Sequence, residues 1–261
     1  MAMILRALSL ASLLILATAA DAAGPPTAPI HDFASDFSGG NPEILSRVGA
    51  YIDNPPTEIE EIGFYGMENE SPGTRLFLAT VSLLDSQDHL YSFEDKYMAD
   101  LLAVWAEDGL FDPGQLPPEA QGVFRPFFDM AFVDAIYDEE GSETSPALRD
   151  YIAYLDAHYA EATLQLEAAI EESSGKTLLS VDATEGDTMF FALVEPEIAE
   201  KWLNKGFAAP REYQAGIREP MWDFFWYNLV YALQLPTVGD IYTRPLPEGT
   251  RKRREFLIPA Q

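Results

Sequence analysis

The side chains that could do acid–base or metal chemistry lie around two of the three histidines in the chain. His158 stands three residues before Glu161, so the two would share one face of a helix. His89 follows Asp85 by four residues, which puts both on one side of the preceding helix if that helix extends so far. A histidine beside a carboxylate can form an acid–base pair or half of a metal site. These four residues are the candidate catalytic residues, although each histidine could equally be an ordinary surface or core-edge residue.

Motifs whose spacing would identify a reaction are missing from the sequence. The chain has no H-E-x-x-H zinc motif, no repeated E-x-x-H motif, no G-x-S-x-G serine elbow and no glycine-rich phosphate loop. It contains no cysteine, which excludes a thiolate nucleophile and a thiolate-bound metal. The sequence therefore predicts no cofactor and no metal, and it favours a non-catalytic binding or interaction protein. The alternative is a hydrolase-like enzyme with a carboxylate and histidine site in a helical cleft.

Two acidic turns, at residues 138–143 and 182–187, offer oxygen ligands of the kind that calcium prefers. Neither matches the spacing of an EF-hand loop, and a solvated loop and a hairpin turn account for them equally well. They leave open a second alternative, a divalent-cation-binding acidic protein.

A predicted helix that begins at Pro220 is unusually rich in aromatic side chains. Trp222, Phe225 and Trp226 crowd one broad face, and Tyr227 lies on the other face. Aromatic rings with a polar tip suit positions that are half in water. These four residues are the candidate binding surface, and the alternative is a helix buried in the core.

Apolar periodicity and capping residues predict the helices that would position these side chains. Arg125-Pro126 should kink one of them, and Ser92 with Asp95 resembles a capping box at the start of another. The predicted helices cover about 41–52, 57–68, 73–85, 92–108, 117–137, 145–175, 196–204 and 220–235.

Two short apolar runs, 177–181 and 188–194, predict a β-hairpin. The fold class is therefore mainly α, with a single helical domain at 41–261, one small β-hairpin at about 177–194 and an extended C-terminal segment. The hairpin would belong to a subdomain at about 176–218. Residues 23–40 are rich in proline, alanine and glycine, and they predict a flexible tether that would hold the third histidine, His31.

The N-terminus has the pattern of a cleavable secretion signal. Arg6 precedes an uncharged apolar run at 7–20, which is too short to span a membrane, and two A-x-A sites follow. Residues 1–22 are the predicted signal peptide, and the mature chain should begin between Ala20 and Gly24. The expected location is the periplasm or the outside of the cell.

The chain is strongly acidic, with a formal net charge of −27 at pH 7. Nucleic acids bind to lysine and arginine, so the charge argues against a nucleic-acid partner and favours a protein or cationic partner. No membrane span is expected after signal cleavage. One basic cluster breaks the pattern at Arg251, Lys252, Arg253 and Arg254. We expect this cluster and the apolar residues after it to fold back onto the acidic body; the alternative is a docking site for an anionic partner.

Overall fold

A computed structural model describes residues 27–94, 98–136, 145–182, 188–203, 216–218, 226 and 246–250. In these parts the chain is mainly helical, which confirms the predicted fold class. Contacts between residues resolve the single predicted domain into two compact units. The first holds the described residues up to His89 together with Gly216, and the second holds the other described residues from Leu90 onward.

The first unit opens with helix α1, Thr27–Phe37. The prediction of a flexible tether is therefore wrong for these residues. Ile30, Phe33, Ala34 and Phe37 are all buried. Their i, i+3, i+4, i+7 spacing gives one apolar helix face, and the ring of Phe33 packs 5.8 Å from that of Phe77. Residues 23–26 lie outside the described part of the chain.

Helix α2, Pro42–Asp53, begins as predicted. The side chain of Asn41 accepts hydrogen bonds from the backbone amides of Glu43 at 3.0 Å and Ile44 at 3.5 Å. These bonds satisfy amides that have no partner inside the helix. Ile44 and Val48 bury the inner face of α2, which packs against α1 and against the helix at Pro72–Asp85.

The prediction of a helix at 57–68 is wrong. The structure has only a short 3₁₀ turn at Glu60–Ile62, followed by an isolated bridge between Ile59 and Phe64. Gly63 and Gly66 have φ angles of 66° and 73°, in the left-handed region that a right-handed helix cannot use. Helix α3 then runs over Pro72–Asp85, in agreement with the helix predicted at 73–85.

The described part of the chain forms a sheet with β1 at Tyr91–Glu94, β2 at Thr177–Asp182, β3 at Thr188–Val194 and β4 at Gly216–Arg218. The strand order is β1-β3-β2-β4, and β1, β2 and β3 lie in the second unit. Strands β2 and β3 pair antiparallel and confirm the predicted hairpin. Strand β1 pairs with β3, so the hairpin belongs to a larger sheet and not to a separate 176–218 subdomain.

Strand β1 also replaces the start of a predicted helix. Ser92 lies in the strand, opposite Phe190, and not in a capping box with Asp95, which is outside the described residues. Helix α4 begins only at Met98 and ends at Glu107, with Leu101 and Trp105 fully buried.

Four further helices complete the described part of the second unit. The Arg125-Pro126 step divides the helix predicted at 117–137 into α5, Pro118–Phe124, a 3₁₀ turn at Arg125–Phe127 and α6, Met130–Ile136. Helix α7, Pro146–Ser174, is capped by Ser145 and ends at Gly175, as predicted. Helix α8 is Pro196–Leu203.

Among the described elements of this unit, helix α7 contributes the largest share of the buried core. Its buried stripe contacts α5 and β2, and it consists of Leu148, Tyr151, Leu155, Tyr159, Ala162, Thr163, Leu166 and Ile170.

Of the predicted extended C-terminal segment, the structure describes 246–250, where Thr250 donates to the Pro247 carbonyl in a turn. The basic cluster at 251–254 lies outside the described residues.

Candidate functional site

An open groove on the second unit brings polar and apolar side chains together around α5. Its volume is about 470 Å³. We call it the α5 groove, and it is lined by Pro113, Gly114, Leu116, Pro118, Gln121, Gly122, Arg125, Phe128 and Asp129.

One wall of the α5 groove is a turn that hydrogen bonds hold against the helix. Asp112 Oδ1 accepts from the Gly114 amide at 2.8 Å. Gln121 Nε2 donates to the carbonyl oxygens of Gly114 at 3.1 Å and Leu116 at 2.7 Å. The amide of Gln121 therefore fixes the shape of this wall.

The groove lining also contains an ion pair whose arginine stacks on an aromatic ring. Arg125 Nε donates to Asp129 Oδ2 at 2.9 Å, and Arg125 Nη2 lies 2.9 Å from the same oxygen. The guanidinium carbon lies 4.2 Å from the centre of the Phe132 ring, in cation–π contact. The hydrogen bond from Arg125, followed by one from the Phe132 amide, lowers the pKa of Asp129. The carboxylate is therefore charged at neutral pH and holds the guanidinium in place.

Two large apolar side chains that flank Asp129 in the sequence are exposed. Phe128 lines the groove and is 37% exposed, and Met130, two residues further along the chain, is 69% exposed. The Phe128 ring rests edge-on against Phe111, with 6.0 Å between the ring centres. One side of Phe128 is thus supported, while its other side is available for contact.

Behind the groove, α5 crosses α7 at close range. Gly122 has no side chain, and the ring of Tyr154 occupies the place where a Cβ atom would stand. The Tyr154 hydroxyl donates to the Pro118 carbonyl at 3.1 Å. Burial, and then the negative charge of Glu119, raises the pKa of Tyr154, so the phenol stays neutral and keeps its proton for this bond.

The candidate pair His158 and Glu161 lies on this face of α7, but other residues engage both side chains. The half-buried His158 ring packs against Tyr154, with 4.4 Å between the ring centres. Glu161 is exposed and accepts a hydrogen bond from Gln165 Nε2 at 3.2 Å. The predicted acid–base pair is therefore not supported by a direct hydrogen bond within the described residues.

The other candidate pair, His89 and Asp85, belongs to the first unit. Asp85 is the last residue of α3, and the His89 amide donates to the Leu84 carbonyl at 3.0 Å. Asp88 turns the chain between them with a φ angle of 58°. The two candidate catalytic pairs thus fall in different compact units.

Within the described residues, no group of three or more histidine or acidic side chains is arranged to hold a metal ion. The acidic turn at 138–143 and residues 183–187 of the other turn lie outside these residues, so calcium binding there stays a prediction. None of the described helices is both long enough and apolar enough to cross a membrane.

The structure places Trp226 in the core and not on a binding surface. Its side chain is 0% exposed, and its ring packs against Tyr159 on α7, with 5.0 Å between the ring centres. The predicted binding role of Trp226 is therefore not supported. Trp222, Phe225 and Tyr227 lie outside the described residues.

The residues of the α5 groove were not among the candidates from the sequence. Phe128 follows Phe124 and Phe127 in a run that looks uniformly apolar. The signal that could have identified it is Arg125-Pro126, because a helix break there turns the following side chains away from the buried face of α5.

The chain matches no protein-family model, no curated protein and no solved structure.

Proposed function

We propose that this chain is an exported, non-catalytic binding protein, and that it holds a cationic, partly apolar segment of a partner protein in the α5 groove. The observation that carries the proposal is the exposed aromatic side chain of Phe128 in the lining of an open groove, with the exposed Met130 two residues further along the chain. Apolar side chains beside a concave surface are typical of sites that bind another molecule.

Charge favours a cationic partner. The chain has a net charge of −27, and such a field attracts cationic molecules and raises their association rates. Among the described residues, Arg125 is the one basic residue in the groove lining, and Asp129 already pairs with it. Asp112, which is exposed, and Glu119 stand on the segment that forms the groove and add negative charge at its edge.

The polar side chains of the groove favour binding over catalysis. Gln121 donates to two backbone carbonyls, and Arg125 pairs with Asp129. These bonds fix the walls, whereas a general base or nucleophile needs to reach a substrate. A fixed surface with an apolar edge lowers the entropy cost of binding a partner segment.

The test measures binding of a fluorescently labelled peptide of four arginines and two leucines by anisotropy. The matched control peptide carries glutamates in place of the arginines. The double substitution Phe128→Ser and Met130→Ser should weaken binding at least about tenfold, since tenfold corresponds to about 1.4 kcal/mol and burying one such side chain completely is worth roughly 1.5–3 kcal/mol.

The control variant is Leu164→Ser, which changes another exposed apolar residue, 46% exposed on α7 and not part of the groove lining. Its affinity should equal that of the wild type. Equal affinity of the groove variant and the control, or equal binding of the acidic peptide, would refute the proposal.

A further inference from the structure

We propose that the thioether of Met130 is an oxidation site, and that its conversion to the sulfoxide weakens binding of the partner at the α5 groove. This inference rests on the proposed function and adds a means of regulating it. The oxidant is a peroxide: the sulfur lone pair attacks one peroxide oxygen, the O–O bond breaks and an S–O bond forms. With hydrogen peroxide, the sulfur loses two electrons and the second oxygen leaves as water with both protons.

Exposure singles out Met130 among the methionines whose side chains the structure describes. Met130 is 69% exposed, whereas Met67 is 6% exposed. Met189 is half-buried and packs against the core of the second unit. Oxidation requires contact between the oxidant and the sulfur, so reactivity follows exposure. Because the chain contains no cysteine, no thiol of this protein competes for the oxidant.

The side chain of Met130 starts from a fixed position beside the groove. Met130 directly follows Asp129, a lining residue, and the Cα atoms of consecutive residues are about 3.8 Å apart. Asp129 Oδ2 accepts from Arg125 Nε at 2.9 Å, and its Oδ1 accepts from the Phe132 amide at 3.0 Å. These bonds hold the backbone on both sides of Met130. A partner segment that packs on Phe128 and continues past Asp129 would therefore cover the thioether.

Oxidation replaces an apolar contact with a polar group at this position. The sulfoxide oxygen accepts hydrogen bonds from water as long as the side chain is exposed, so the folded state is little affected. A partner that covers the oxygen removes this water, and the leucine side chains of the test peptide offer no donor in its place. Burying a polar group without a hydrogen-bond partner is unfavourable. We expect binding to weaken about tenfold, which corresponds to about 1.4 kcal/mol.

The first test maps the reaction. The full chain is treated with dilute hydrogen peroxide, samples are quenched at timed intervals, and each methionine is followed by peptide mapping with mass spectrometry. Met130 should be converted at least about five times faster than Met67 or Met189, because reactivity follows exposure of the sulfur. In the chain unfolded by urea the three rates should converge. Equal rates in the folded chain would overturn the oxidation site.

The second test measures binding of the arginine–leucine peptide by anisotropy before and after treatment with peroxide. The wild type should lose about tenfold in affinity, whereas the affinity of Met130→Leu, whatever its starting value, should not change on treatment. The matched control is Met189→Leu, which removes a thioether that is not part of the groove lining and should lose affinity as the wild type does. An unchanged affinity of the treated wild type, or an equal loss in Met130→Leu, would overturn the regulation.

The same peptide separates this inference from the proposed function. Because coupling between two events is reciprocal, saturating peptide should slow the conversion of Met130 but not that of Met189. If the untreated chain binds the peptide and oxidation of Met130 leaves the affinity unchanged, the regulation is refuted and the proposed function stands. If the untreated chain does not bind the peptide, the proposed function fails and the regulation fails with it, while fast conversion of Met130 still establishes the oxidation site.

Discussion

Replacing Gly122 by alanine tests the close crossing of α5 and α7 that supports the groove. An added Cβ would lie 2.5 Å from Tyr154 Cε1 and 2.6 Å from both Cζ and Oη. Such distances are too short, so the ring must move. Its movement would disturb the hydrogen bond from the hydroxyl to the Pro118 carbonyl and the contact with His158.

The size of the effect follows from three terms. Alanine is favoured over glycine by about 0.8–1 kcal/mol in a helix interior. Forcing a side chain out of a packed position costs roughly 1–3 kcal/mol, and the lost hydrogen bond costs about 0.5–1.5 kcal/mol. Gly122→Ala should therefore lower the free energy of unfolding by roughly 0.5–4 kcal/mol.

The same substitution should become stabilising once the ring is removed. In a Tyr154→Ala background, Gly122→Ala should raise the free energy of unfolding by up to about 1 kcal/mol, because only the helix propensity term is left. The matched control is Gly49→Ala on α2, where nothing lies within 4 Å of the added Cβ. It should stabilise in both backgrounds.

Urea unfolding of the four chains of this cycle and of the control gives these free energies. If Gly122→Ala stabilises the wild type as much as Gly49→Ala does, the ring does not occupy this space and the crossing is wrong. A substitution that destabilises equally with and without Tyr154 would show that the strain has another source.

Three further predictions concern separate parts of the chain. Asn41→Ala removes a helix cap that accepts two amide hydrogen bonds, and it should lower the free energy of unfolding by about 1 kcal/mol, measured by urea unfolding. Tyr151→Phe leaves the Val123 carbonyl without its 2.7 Å bond and should cost about 1–3 kcal/mol. Burial raises the pKa of Tyr151 well above its ordinary 10.0, so above about pH 10 the folded state keeps this proton while the unfolded state loses it. The free energy of unfolding of the wild type should therefore fall as the pH rises above about 10, and that of the phenylalanine variant should fall less. N-terminal sequencing tests the predicted signal: the mature chain should begin between Ala20 and Gly24, and an intact Met1 would contradict the signal.

The parts of the fold that the sequence predicted well are those with explicit local signals. Helix α7 has a capping serine, a proline at its first position, an apolar stripe and a glycine at its end, and the structure follows all four. The β2–β3 hairpin has two apolar runs separated by a polar turn. In both cases local preference and burial agree, so no information from distant residues was needed.

The predicted and observed elements differ where composition and apolar periodicity point to different structures. The prolines before and within α1 suggested a tether, yet Pro29 stands in the first turn of the helix, where its missing amide costs little. Residues 57–68 have helix-like apolar spacing, but Gly63 and Gly66 adopt left-handed angles that end the helix. The apolar spacing at 92–108 predicts a helix throughout, but residues 91–94 form strand β1, whose partner β3 lies about a hundred residues away in the sequence.

The candidate site was missed because exposure of an aromatic residue depends on what packs against it. Trp226 and Phe128 both stand in aromatic runs of the sequence. Trp226 meets Tyr159 of α7 and is 0% exposed, whereas Phe128 follows the break at Pro126 and keeps 37% of its surface in water. A run of aromatic residues indicates apolar surface to be buried, but whether the chain itself or a partner buries that surface depends on the position of helix breaks and on distant helices. The break at Arg125-Pro126 is therefore the feature of the sequence from which the groove follows.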